Sequence, residues 1–264
     1  MMIICDTSVW YWIADGSFDP NPHKEDGHKF IATALNLREL SSSEVLIEDP
    51  AKFKSALNAM LDHADSYILE DPIDYILRNY FAANHQSDLS VYEEMKNKII
   101  ECKDFDTSII YSSIDEYRKE IEKFDEFYIG FADSFNTNID EIRIGLKKEH
   151  IRNKNIKKRD TTKRIANMVF GFLESRNNST EGVTMDPKLL EHISLLCYGF
   201  DFYFKNLETI ANFESKPNHI YDLFNLAYVD TQDKYAAFDW KEPYYSLQED
   251  GKTSYYFPIK KMRK

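Results

Sequence analysis

The chain opens on MMIICDTSVW (residues 1–10), and the reading of those ten residues decides the fold. Five apolar residues run straight into an acid, then two hydroxyl residues, then the apolar run VWYWIA (9–14). A short, continuous apolar run reads as a strand buried on both faces, the kind found in parallel sheets. An Asp followed by a helix-forming stretch is how a helix is capped. The segment therefore reads as a buried strand, an acid at its carboxyl end, and a helix.

Working outward, the same pattern recurs. FIATAL (30–35) reads as a second strand running into the helical start NLREL (36–40), which carries Glu39. SYIL (66–69) reads as a third. In DPIDYILRNYF (71–81) Pro72 suits a first helical turn, and Ile73, Ile76, Leu77 and Tyr80 fall at helical spacing. After Pro217 the pattern returns: HIYDLFNLAYV (219–229) reads as a helix, KYAAFD (234–239) and SYYFPIK (254–260) as strands. Between these ends, residues 88–214 read as helical, with a capping box at Ser113–Glu116, a loop at NNSTEG (177–182) and a long apolar helix opening at Asp186-Pro187. The expectation is an α/β protein with a central, mainly parallel sheet. Residues 1–87 and 215–264 would form a discontinuous core, and 88–214 a large α-helical insertion.

Composition bounds the function classes. The chain has 264 residues, 43% of them hydrophobic, with 18 Phe, 17 Tyr and only 8 Gly and 8 Pro, so it packs a core rather than staying disordered. No apolar run approaches the roughly 18 residues a membrane span needs. The apolar start holds Asp6 and has no Lys or Arg before it, so it is not read as a signal peptide. Cys5, Cys102 and Cys197 make neither a CxxC pair nor a disulfide framework, and a reducing cytoplasm is the expected compartment.

The net charge of −12 argues against a nucleic-acid partner until its distribution is read. Between 143 and 164 lie Arg143, Lys147, Lys148, Arg152, Lys154, Lys157, Lys158, Arg159, Lys163 and Arg164, opposed only by Glu149 and Asp160. That segment is +8, which leaves −20 for the remainder. Screening makes local charge, not the average, decide what a surface attracts. The run fits a phosphate backbone; a solvated helical face or a dock for an acidic protein partner are the alternatives.

Four acids stand at strand or helix termini: Asp6 after MMIIC, Glu39 after FIATAL, Asp222 on the helix after Pro217, and Asp239 at the end of KYAAFD. The carboxyl ends of parallel strands gather at one edge, where ligands bind. Converging carboxylates repel unless a cation joins them. Mg²⁺ or Mn²⁺ suits an all-oxygen set, and such an ion activates water, orients a phosphate and stabilises a leaving oxygen. No His or Cys group is read at zinc-ligand spacing, and no GxSxG, GxxxxGK[ST] or HExxH motif occurs.

These residues carry a family resemblance. MIICDTSVW resembles the opening of PIN-domain nucleases, FIATALNLREL their second element with its Glu, and HIYDLFNLAYVDTQDKYAAFD their later helical Asp and strand-ending Asp. The resemblance covers about residues 1–85 and 215–260 and leaves 88–214 unexplained. It implies a PIN-like three-layer α/β/α fold, with Asp6, Glu39, Asp222 and Asp239 as metal-coordinating catalytic residues. Thr7 or Ser8 would hold Asp6 or a phosphate. It implies a metal-dependent endonuclease, an endoribonuclease first. A catalytically inactive RNA- or protein-binding module and a structure-specific DNA nuclease are the alternatives.

Each acid also has a plain reading. Asp6 caps a helix, Glu39 sits on an exposed helical face, and Asp239 lies where the chain turns. Asp222, with Asn218 and Asn225 on the same helical face, departs furthest from a plain amphipathic pattern. Glu44 and Asp15 read as solvated or capping residues, Asp230 as a capping residue or an extra carboxylate, and His219 as a helix-start residue. FDFYF (200–204) reads as core.

Overall fold

The computed structural model describes residues 1–42, 49–80, 89–101, 126, 128–130, 132–134, 136–152, 195, 196, 199, 203, 214–230, 232–237 and 257. Its strands are β1 (Met2–Cys5), β2 (Lys29–Thr33), β3 (Ser66–Ile68) and β4 (Lys234–Ala236). They form one parallel sheet in the order β3-β2-β1-β4. Ile4 of β1 lies in register with Ile31 of β2 and Tyr235 of β4.

Parallel neighbours need crossovers. The chain passes from β1 to β2 through α1 (Thr7–Ala14) and α2 (Asn21–Glu25), and from β2 to β3 through α3 (Ala34–Ser42) and α4 (Pro50–His63). After β3 come α5 (Pro72–Tyr80), α6 (Ser90–Glu101), α7 (Ile139–Arg152) and α8 (Pro217–Asn225), the last tightening into a 3₁₀ turn at Leu226–Tyr228. The sheet thus grows in one direction from β1 through β2 to β3, and the chain returns to place β4 on β1's other side. In such sheets the crevice outside the carboxyl ends of β1 and β4, where the order reverses, is the natural ligand position.

Successive side chains of a strand point to opposite faces. Ile3, Cys5, Phe30, Ala32 and Ala236 pack with Val9 and Trp10 of α1, Leu37 and Leu40 of α3, and Phe53, Leu57 and Met60 of α4. The intervening residues Ile4, Ile31 and Tyr235 are equally buried. On their side stands α8, whose Asn225 bonds the Tyr235 hydroxyl. Burial on both faces explains why these strands read as unbroken apolar runs.

The second strand ends earlier than FIATAL suggested. Thr33 is its last residue, and Ala34 and Leu35 begin α3. The Thr33 N–H donates to the Asn36 side chain (2.9 Å), and the Asn36 N–H donates back to Thr33 Oγ1 (3.4 Å). This reciprocal cap, an Asn-bearing form of the capping box, starts the helix at Ala34 despite the β-like run before it. The helix of HIYDLFNLAYV starts at Pro217, two residues before His219, as suits proline in a first turn.

Strand β4 covers the first part of KYAAFD; Phe238 and Asp239 lie outside the described residues. Of SYYFPIK only Phe257 is described, and its N–H donates to the Tyr235 carbonyl (2.8 Å) beside β4. Ser113–Glu116, NNSTEG and the helix opening at Asp186 also lie outside the described residues.

Where 88–214 is described it is helical, and it reaches into the core. Tyr92 of α6 is packed among the residues under β1 and β2. The Tyr128 hydroxyl bonds both carboxylate oxygens of buried Asp71 (3.1 and 2.9 Å). Tyr203, from FDFYF, is buried with its hydroxyl bonded to Ser215 Oγ, which agrees with the core reading.

Candidate functional site

Asp6 follows the last residue of β1 and caps α1. Its Oδ1 accepts from the Ser8 N–H (2.9 Å), while its backbone N–H donates to Ala236 of β4 (2.8 Å). Its Oδ2 accepts from the hydroxyl of Tyr235 (3.1 Å). The plain reading of Asp6 as a cap is therefore true, and it uses only one carboxylate oxygen. The cap points that carboxylate into the crevice between β1 and β4.

Glu39 lies one turn beyond Asn36 on α3. Its Oε2 accepts from the Thr7 hydroxyl, which in turn accepts from Asn36 Nδ2 (3.1 Å). Thr7 thus holds Glu39, and the Ser8 N–H holds Asp6. Burial, then the neighbouring charge of Asp6, pushes the Glu39 carboxyl up from its usual 4.5 to about 7, against the opposing pull of the Thr7 bond and the Arg38 charge.

Asp222 is exposed on α8, one turn before the buried Asn225. Asn225 Oδ1 accepts from Thr33 Oγ1 (3.0 Å) and its Nδ2 donates to the Tyr235 hydroxyl (3.4 Å). That phenol is held well above its ordinary value by burial and then by the charges of Asp6 and Asp222, which places both acids within electrostatic reach of one hydroxyl. A chain of contacts runs from Asp6 through Tyr235, Asn225, Thr33, Asn36 and Thr7 to Glu39, whose carboxyl feels the charge of Asp6. It joins β2, β4, α1, α3 and α8, and its bonds among Thr33, Asn36, Thr7, Asn225 and Tyr235 are buried, which fixes geometry more strongly than exposure would.

The structure therefore brings Asp6, Glu39 and Asp222 to one sheet edge. Their carboxylates do not close to a mutual ligand distance: among the described residues they are not a set with all oxygens within 4.8 Å of one another. Asp239 lies outside the described residues. Asp230 does not join them. It precedes β4 and acts on Asp233, whose carboxyl is raised by burial and then by Asp230 while it accepts from the Met2 backbone, at the opposite sheet edge. His219 is a helix-start residue, its Nδ1 accepting from the Lys216 N–H (3.4 Å). Asp15 caps the end of α1, and Glu44 lies outside the described residues.

Sequence reasoning missed the residues that hold the acids. Thr33, Asn36, Asn225 and Tyr235 are buried and polar, and only Asn225 had drawn notice through its spacing from Asp222. Arg38 was also missed. It is 6% exposed, with its guanidinium 3.3 Å from the centre of the Tyr221 ring, a cation–π contact beside Asp222.

No protein-family model, curated protein or solved structure matches the chain.

Of the basic run, Arg143, Lys147, Lys148 and Arg152 fall on α7, where Arg143 lies 3.7 Å from Asp140. Side chains from Lys147 through Arg152, and all of Lys154, Lys157, Lys158, Arg159, Lys163 and Arg164, lie outside the described residues. Among the described residues no helix is long and apolar enough to cross a membrane.

Proposed function

We propose that the chain is a metal-dependent phosphodiesterase of the PIN type, with a PIN-like three-layer core, an inserted helical block at 88–214, and RNA as its substrate. The observation that carries the reading is the gathering of Asp6, Glu39 and Asp222 at the crevice where the strand order reverses, with Glu39 held at about 7 by burial and by Asp6. A carboxylate so placed is the group a cation stabilises most.

The donor chemistry fits Mg²⁺ or Mn²⁺: carboxylate oxygens, with no thiolate or imidazole among them. Asp6, Glu39 and Asp222 would hold the ion, with Asp239 as the fourth acid. Bound there, it would supply water activation and neutralise charge on a phosphate. The chain's own part is positional. Tyr235 and the Ser8 N–H fix Asp6, Thr7 and Asn36 fix Glu39, and α8 presents the exposed Asp222 one turn before the buried Asn225. The basic run of 143–164 would grip the backbone away from the acids.

The test is cleavage by the full chain of labelled RNA, single-stranded DNA and branched DNA, with Mn²⁺ or with chelator. RNA cleavage that needs the ion is expected. Asp6→Asn should lower the rate by about two orders of magnitude or more while substrate binding persists. Binding without any metal-dependent cleavage would instead favour a binding module, and preference for branched DNA a structure-specific DNA nuclease. Reversing Lys154, Lys157, Lys158 and Arg159 should weaken binding and flatten its salt dependence.

A further inference from the structure

At the sheet's other edge the end of α2 builds a different cluster. Gly27 has φ +82°, a conformation that costs glycine nothing. Its N–H donates to the Lys24 carbonyl (2.9 Å), and the His28 N–H donates to the His23 carbonyl (3.1 Å). This pair of bonds is a Schellman closure, with Asp26 as the helix cap, Gly27 in the left-handed position and His28 just beyond it. The closure sets the residue after the glycine beside the one five positions back. Those neighbours are usually apolar; in this chain both are imidazoles.

The side chains of His23, Asp26 and His28 each offer a ligand atom, all within 4.8 Å of one another. The two rings are 6.2 Å apart at 69°. His28 Nδ1 lies 3.0 Å from the His23 carbonyl, an acceptor only. Nδ1 therefore carries the proton, and the Nε2 lone pair is left to bind a cation, the outer-shell arrangement that orients metal-binding histidines. Phe257 packs edge-on against both rings (5.0 and 5.7 Å), and Phe18 stacks on His23 (5.5 Å), so the imidazoles are held from behind. Lys24 is drawn to Asp65 (3.1 Å).

We propose that His23, Asp26 and His28 form a second metal site, specific for a borderline divalent cation and suited first to Zn²⁺. Two nitrogens and one carboxylate oxygen are a zinc-type set, whereas Mg²⁺ prefers oxygen alone. In a tetrahedral shell with bonds of about 2.0–2.2 Å the ligand atoms stand roughly 3.4 Å apart, which small side-chain rotations reach from the present spacing. Asp26 is exposed, so its carboxylate is reached from solvent. The site is independent of the carboxylate edge: the five residues of β2 put roughly 16 Å between the two. Its ligands fall in the pattern His-x-x-Asp-x-His, too short and too mixed to be read as a zinc motif until the glycine turn folds it.

The experiment is calorimetric titration of the chelator-stripped full chain with Zn²⁺, for wild type, Asp26→Asn, His23→Gln, His28→Gln and Asp6→Asn. One Zn²⁺ should bind wild type and Asp6→Asn alike in the presence of excess Mg²⁺. Each of the other three variants should weaken it by at least about tenfold. Asp26 is at the surface, so Asp26→Asn keeps the fold, and melting curves check the histidine variants. Zn²⁺ affinity unchanged in Asp26→Asn and His28→Gln would overturn the proposal. So would loss of Zn²⁺ binding in Asp6→Asn alone, or no binding by wild type.

Discussion

Glu39→Gln isolates the electrostatic cost of the carboxylate edge. Glutamine keeps the shape and can accept the Thr7 hydrogen bond, but it never ionises. In the folded chain the Glu39 carboxyl sits at about 7 rather than its usual 4.5. An acid raised on folding contributes its full stability below the unfolded value, and that contribution is lost as pH rises through the folded value. Wild type should therefore lose stability between pH 5 and pH 8 relative to Glu39→Gln, by about 2.5 kcal/mol from the linkage relation. For a chain of this size that is a difference of roughly 5–10 °C in melting temperature. The assay is urea unfolding of both proteins at the two pH values, in chelator. The variant should gain on wild type at pH 8 and nearly match it at pH 5. Parallel pH profiles would refute the placement of Glu39 in a buried position beside Asp6.

Mn²⁺ should reverse that penalty: at a concentration about a hundred times its dissociation constant it should stabilise wild type by about 2.7 kcal/mol, read as a melting shift at pH 8 that Asp6→Asn lacks. Tyr235→Phe removes the hydroxyl shared by Asp6 and Asn225. It should cost about 1–3 kcal/mol in unfolding free energy, because a buried amide loses its acceptor. Gly199→Ala would bring a methyl carbon to 2.6 Å from Leu226 Cδ1 and 3.1 Å from Leu223 Cδ2. Those side chains are buried, so the variant should lose about 1–3 kcal/mol, and an unchanged melting temperature would show that α8 is not so closely approached.

What was legible in the sequence follows from local physics. Strand β1 is an apolar run that ends where a polar cap begins, and Asp6 is visible because a charge directly after such a run must lie at its edge. The strand expected over KYAAFD is present as β4 at Lys234–Ala236. The boundary after Thr33 was misplaced because Ala34 and Leu35 are as apolar as the strand before them, and the signal that ends it is a pair of hydrogen bonds between Thr33 and Asn36.

By itself, then, the sequence determined an α/β chain with Asp6 standing directly after its first strand, because burial on both faces and helix capping each act over a few consecutive residues; Glu39 and Asp222 lie inside α3 and α8. Tertiary structure decided which distant groups meet. The strand order put Asp6 beside Tyr235, 229 positions away, and tied Thr33 to Asn225, 192 positions away. It also turned Asp230 to the opposite edge. A hydrogen bond between such residues depends on how whole elements pack, and no local pattern encodes it. The paired imidazoles of His23 and His28 lie between these cases: only five residues apart, they are neighbours because Gly27 adopts the left-handed turn that brings them together.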